Sequence, residues 1–197
     1  MQPSSISNIT PNQKIVGVNK RFGNFGIRKQ QGTTRVIYDT LTLTTTQDTF
    51  RFFEGVANRT FPQTNVNESA NGLQVGESLS VDRMYLSLVT LDAVDGDIIT
   101  LTPISTRPDI TIGEMSIKIA NTIILKPIPL SSFLGNFNKS SYFSTSMNFE
   151  FDTSLIFPPL LEFIVEIRTL IVAGTPNTEL RLTIEGVGAI LAPRNTF

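Results

Sequence analysis

The sequence predicts an all-β fold, an antiparallel β-sandwich or barrel preceded by an extended N-terminal arm. Three observations carry that expectation. Apolar and polar residues alternate at period two over several segments, the pattern of strands with one buried face. No segment repeats its apolar residues at helical spacing for three turns. The alternating runs are separated by stretches rich in Gly, Pro, Asn and Asp, the punctuation of sandwiches and barrels. A chain of 197 residues is long enough for one sizeable core.

Residues 1–35 read as the arm. Pro, Gly, Ser, Asn and Gln dominate it, and its apolar stretches are residues 15–18 and 22–27. Phe22 and Phe25 stand among glycines, two apolar anchors on a flexible backbone. The sandwich is expected over residues 36–197. Its first strand follows Arg35, with Ile37, Leu41 and Leu43 on one side and Thr40, Thr42 and Thr44 on the other. Residues 49–56 make a second strand, containing Phe50, Phe52 and Phe53. A polar segment without periodicity follows, over residues 58–71.

The longest run is residues 77–91. Leu79 and Val81 share one phase, and Met84, Leu86 and Leu88 the other. A β-bulge near Asp82-Arg83 reconciles them. Asp95-Gly96 suits a hairpin turn into a strand over residues 98–104. Residues 115–127 form a strand pair or one bent strand, ended by Pro127 and Pro129. Residues 142–152 place Phe143, Met147, Phe149 and Phe151 inward. Residues 161–172 place Phe163, Val165 and Ile167 opposite Glu162, Glu166 and Arg168. Residues 179–191 turn Leu180, Leu182 and Ile184 inward. This gives about eight to ten strands. The predicted core is Leu41, Leu43, Leu86, Leu88, Ile117, Ile119, Phe149, Phe151, Val165, Ile167, Leu182 and Ile184.

Composition removes much chemistry. There is no His and no Cys, hence no Ser-His-Asp triad, no thiolate nucleophile and no His- or Cys-based metal site. There is no Trp, which weakens a sugar-stacking role. Asp92, Asp95 and Asp97 could hold calcium by their density, but their spacing does not match an EF-hand loop, and an acidic turn accounts for them. Glu150 with Asp152, and Glu162 with Glu166, sit on solvent faces where charges belong. No catalysis, cofactor, metal or small-molecule substrate is expected.

The charge is uneven. Residues 1–38 carry six basic and no acidic residues, a net +6, and the remainder carries ten basic and seventeen acidic, a net −7. A basic arm on an acidic body suggests an anionic partner for the arm. Lys14, Lys20, Arg21, Phe22, Phe25, Arg28, Lys29 and Arg35 are its candidate contact residues. Genome, an internal membrane and a neighbouring subunit are the candidate partners. Six charges over so long a stretch are sparse for a genome-binding tail, and two Phe anchors favour the neighbour.

The stretch Asn58-Arg59-Thr60-Phe61-Pro62, then Thr64-Asn65, then Leu73-Gln74-Val75-Gly76-Glu77 leading into a long strand, resembles jelly-roll capsid proteins of tailless icosahedral bacteriophages. The resemblance covers about a fifth of the chain and implies a single jelly-roll-like sandwich, since two rolls usually need a longer chain. It also implies a capsid shell subunit. That subunit would assemble in the host cytoplasm into the virion, with copies of itself and other capsid subunits as partners. Asn58, Arg59, Phe61, Pro62 and Asn65 would then form an intersubunit loop. A penton, minor-shell or decoration protein, and a non-viral β-sandwich binding module, are the alternatives.

Overall fold

A computed structural model of the chain describes residues 30–43, 48–66, 73, 77–91, 98–103, 110, 112–132, 147–169 and 178–191. Among these residues nine strands form: β1 (Gln30–Thr42), β2 (Thr49–Phe52), β3 (Ser78–Leu91), β4 (Ile98–Pro103), β5 (Glu114–Ile119), β6 (Thr122–Pro129), β7 (Met147–Phe157), β8 (Phe163–Arg168) and β9 (Thr178–Leu191). They make two antiparallel sheets. One runs β1-β9-β3, and the far side of β3 is shared by β7 and β4; the other runs β2-β8-β5-β6. The pairings are nested. β1 pairs with β9, β2 with β8, β3 with β7 and β5 with β6. Two further ladders, β3 with β9 and β5 with β8, join those pairs into sheets.

The sheets pack face to face through one core, which draws Ile37, Leu79, Met84, Leu86, Leu182 and Ile184 from the first and Phe50, Phe52, Met115, Ile117, Val165 and Ile167 from the second. The expected core is largely this one. Leu41, Ile119, Phe149 and Phe151 are the exceptions: they pack against it half-buried. At one end Phe157 stacks on Phe163 at 4.4 Å between centroids, and Phe53 leans on Phe163 at 5.0 Å.

The bulge lies where the phase change predicts it. The ladders of β3 with β7 and with β9 both slip between Val81 and Arg83. One extra residue lets Leu79 and Val81 share the core with Met84, Leu86 and Leu88. The slip brings β3 so close to β9 that a Cβ on Gly186 would stand 2.0 Å from the Ser80 carbonyl oxygen.

Several boundaries differ from expectation. β1 starts at Gln30, before the expected arm boundary, and Arg35 lies within it. The Gln-Gln-Gly-Thr-Thr stretch lacks alternation, and its pairing with residues 187–191 of β9 makes it a strand. β2 stops at Phe52 instead of running to Val56, because Phe53 takes a positive φ of 67°. That turn lets Phe52 and Phe53 both bury, where a continued strand would put them on opposite faces. A short 3₁₀ turn follows over Val56–Asn58. Residues 115–127 resolve into β5 and β6, and β6 runs through Pro127 to Pro129 because it is the outer strand of its sheet, where a missing N–H is tolerated. Phe143, Asp92, Asp95, Asp97 and the arm up to Lys29 lie outside the described residues.

Gly186→Ala should lower stability towards the upper end of the about 1–3 kcal/mol that overpacking costs, since its obstacle is backbone. Gly188→Ala should cost visibly less, because its nearest neighbours are side-chain atoms of Arg35 and Thr33. Urea midpoints of the two variants check the order.

Candidate functional site

β1 is the outer strand of its sheet, so one row of its backbone groups faces away from β9 and needs partners or water. The chain that leaves β2 supplies them. It climbs over the β1 edge and returns beside it, bridging Thr64 to Asp39. The Thr64 hydroxyl donates to the Tyr38 carbonyl at 2.9 Å. The side-chain amide of Asn65 acts as a substitute strand residue: its Oδ1 accepts from the Tyr38 N–H and its Nδ2 donates to the Val36 carbonyl, both at 2.8 Å.

The anchor of this loop is Asp39. It stands in phase with Ile37 and Leu41, so its carboxylate points into the sandwich, with no exposure. Its Oδ2 accepts from the Phe53 N–H and from Arg59 Nη2, both at 2.6 Å, and its Oδ1 accepts from Arg59 Nε at 3.1 Å. The same Nη2 donates to the Glu54 carbonyl at 3.0 Å. One guanidinium thus ties the strand to both ends of the turn. Burial pushes the Asp39 carboxyl up, against the Phe53 N–H and the Arg59 charge, which pull it down.

Outside the sheet the loop is fixed a second time. Arg181 on β9 donates to the Pro62 carbonyl at 2.7 Å and to the Thr40 hydroxyl at 2.9 Å, and its guanidinium lies 4.5 Å from the centre of the Tyr38 ring. Next to it, Glu179 is buried and accepts from the Thr42 hydroxyl at 3.1 Å. Burial raises its carboxyl above the usual range, and the charge of Asp39 adds to the push.

The predicted loop residues therefore divide. Arg59 turns inward to Asp39, and Asn65, though exposed, turns along the edge of β1, so both hold their own strand. Pro62 is held through its carbonyl. Asn58 and Phe61 face solvent, and Phe61 is 80% exposed. The loop is a fixed knob, anchored beneath and apolar at its tip. Of the predicted arm residues, Arg35 forms an ion pair with Glu77 at 3.1 Å, and the others lie outside the described residues. Asp39, Tyr38 and Arg181 did not stand out as site residues in the sequence, and Thr64 stood there only within the stretch that carries the resemblance. Asp39 had a signal, a charge at a core-facing position of an alternating strand, which requires a counter-charge nearby.

Of the acidic residues expected on solvent faces, Glu166 is instead buried and ion-paired, and the side chain of Asp152 lies outside the described residues. Glu166 accepts from Lys118 Nζ at 2.8 Å, with Arg51 Nε at 3.4 Å and Arg168 Nε at 3.9 Å, on the outer face of the second sheet. The Lys118 hydrogen bond holds its carboxyl below the usual range. Glu150 is exposed on β7 opposite Arg83. Among the described residues no three His, Cys, Asp or Glu converge as metal ligands. Further apolar side chains reach solvent at Ile112, Ile123, Ile124, Leu160 and Leu161. Neither a scan against protein-family models nor a search of curated proteins finds a match for this chain.

Asp39→Asn keeps an acceptor for the Phe53 N–H but strips Arg59 of its counter-charge. It should cost about 3–5 kcal/mol, the range for halving a buried ion pair. Adding Arg59→Met should recover part of that loss, which a urea double-mutant cycle measures. The pH dependence has a definite sign. A carboxyl raised by folding contributes stability that is complete below its unfolded pKa and is lost as pH rises through the folded value. Glu179→Gln should therefore match the parent most closely below the usual value of 4.5 and gain on it as pH rises towards 7. Glu166 acts in the opposite sense, its contribution present above that value and lost as pH falls through the lower folded one.

Proposed function

We propose that the chain is a virion structural protein, a capsid shell subunit folded as a single jelly roll. The observation that carries this reading is the nested pairing. With β4 set aside as a hairpin partner of β3, the two sheets run β1-β9-β3-β7 and β2-β8-β5-β6. An eight-stranded hairpin rolled up into two sheets has this order, and such a roll carries viral capsid, lectin and cupin domains. Fold alone does not choose among those. A cupin-type metal site needs His, and the chain has none; sugar stacking favours Trp, and the chain has none. The resemblance of residues 58–77 to phage capsid proteins points the same way.

The surfaces support assembly over catalysis. The loop at residues 54–66 is fixed from both sides and presents Phe61 outward. At the far end of the sandwich from the start of β2, Leu160 holds a positive φ of 60° while its side chain is 60% exposed. Such geometry costs about 1–3 kcal/mol in a residue other than Gly and is concentrated at functional positions. Contacts of this size suffice in a shell because symmetry repeats them. Other copies and other capsid subunits are then the partners, the virion is the location, and the basic arm reaches a neighbouring subunit.

The test is imaging of the purified full-length chain by electron microscopy, alongside a chain lacking residues 1–29 and Phe61→Ser. The full chain should form closed particles of uniform size. The truncated chain should keep the thermal transition of the parent yet form none, at low and high salt alike. Phe61→Ser should weaken assembly without lowering stability, since the ring rests on little of its own subunit. A full-length chain that stays monomeric at every concentration would contradict the reading.

A further inference from the structure

The loop closes only part of the β1 edge. Backbone groups of a strand point alternately to either side, and the Val36 carbonyl and Tyr38 N–H point away from β9, since Asn65 meets both. By the same period the N–H and C=O groups of Gln30, Gly32 and Thr34 point away from β9 too. Among the described residues only the Thr33 hydroxyl reaches one of them, the Thr34 carbonyl, at 3.3 Å on an exposed surface. Among the described residues, then, three successive outward positions of the strand have no other partner for their donors and acceptors.

The outer strands of the second sheet are guarded in the ways edges usually are. β6 carries Lys126, Pro127 and Pro129, and its ladder with β5 slips twice. β2 is four residues long and holds the charged, half-exposed Arg51. The far flank of β3 is divided between β7 and β4 in offset pieces. The open part of β1 has no Pro, no bulge in its ladder with β9 and no charge between Gln30 and Thr34.

We propose that this stretch is a pairing site for a second copy of the chain, β1 against β1 about a two-fold axis at Gly32. An antiparallel edge is its own complement under a two-fold rotation. Gln30 then pairs with Thr34 of the copy and Gly32 with Gly32 of the copy, which satisfies every outward group of the three positions on both sides. Between Gln30 and Thr34 no charges meet across the axis. The flanking charges are Lys29 and Arg35, each three positions from Gly32 in sequence, and the Arg35 charge is met by Glu77 within its own subunit. Val36 is exposed on the outer face beside the seam and gives it an apolar contact. Asn65 sets the register, because it occupies the edge at Val36 and Tyr38 and stops an added strand there. Pairing of this kind is asked of a dimer whatever larger assembly the dimer enters, so it goes beyond the shell reading.

Sedimentation of the full-length chain over a range of concentrations tests it, with Gly32→Pro and Thr34→Lys beside the parent. The Gly32 N–H makes no bond to β9, so proline there removes an edge donor and spares the ladder. Thr34→Lys leaves the backbone intact and sets two like charges beside the seam. The parent should dimerise, and both variants should do so at least tenfold more weakly with unchanged circular dichroism. Should Gly32→Pro fail to fold, Thr34→Lys decides alone. A parent without dimers, or variants that associate as the parent does, would overturn the proposal. A dimerising parent that builds no closed particle would instead leave the pairing standing and remove the shell.

Discussion

A carboxylate with no solvent exposure sits in the apolar phase of β1, and the arrangement of that side of the molecule depends on how its charge is met. Asp39 is tolerable only because Arg59 and the Phe53 amide reach it together. To deliver them the chain must stop β2 at Phe52, turn through a positive φ, and carry Arg59 back over the edge of β1. The same turn buries Phe53 against Phe163. It also brings Thr64 and Asn65 alongside β1, where they satisfy backbone groups that an outer strand otherwise leaves open. One ion pair thus couples the end of a strand, an aromatic contact and the closure of a sheet edge. A hydrophobic residue at position 39 would serve the core equally well and would specify none of these.

Closure of that edge is incomplete, and its limits bear on function. Every sandwich must deal with its outer strands. This one uses prolines and bulges on β6, brevity on β2 and a borrowed side-chain amide at the middle of β1. Among the described residues none of these devices reaches the first residues of β1. Nearby, an exposed Phe61 rides on a loop pinned from inside by Arg59 and from outside by Arg181. An edge secured for most of its described length, beside a fixed apolar knob, is the basis on which a second copy is proposed as the partner.

Much of the fold was legible because burial on one face writes period two into a strand. The inward residues read from the alternation of β8 and β9, Phe163, Val165, Ile167, Leu180, Leu182 and Ile184, are all buried. Even the bulge of β3 was readable, as a change of phase within one apolar run. What was illegible depends on contacts distant in sequence. Gln30 to Thr34 become a strand through pairing with the end of β9, and nothing local announces it. The prolines of β6 looked like stops because their place at a sheet edge is a tertiary fact. In the loop, Arg59 and Asn65 stood out by type and neighbourhood, but that Arg59 turns to Asp39 and Asn65 to the edge of β1 could not be read without the tertiary placement of β1. Asp39 itself was visible as a charge in an apolar phase, and its partner was identifiable only in three dimensions.

Backbone hydrogen exchange, followed on the dispersed chain and on the assembled material, tests most directly whether the edge of β1 is closed above and left for a neighbour below. The Tyr38 amide, held by Asn65, should exchange slowly in both states. The Gly32 and Thr34 amides should exchange quickly in the dispersed chain and slowly once it assembles. Equal rates for Gly32 and Thr34 in the two states, or a Tyr38 amide as labile as theirs in the dispersed chain, would contradict the account.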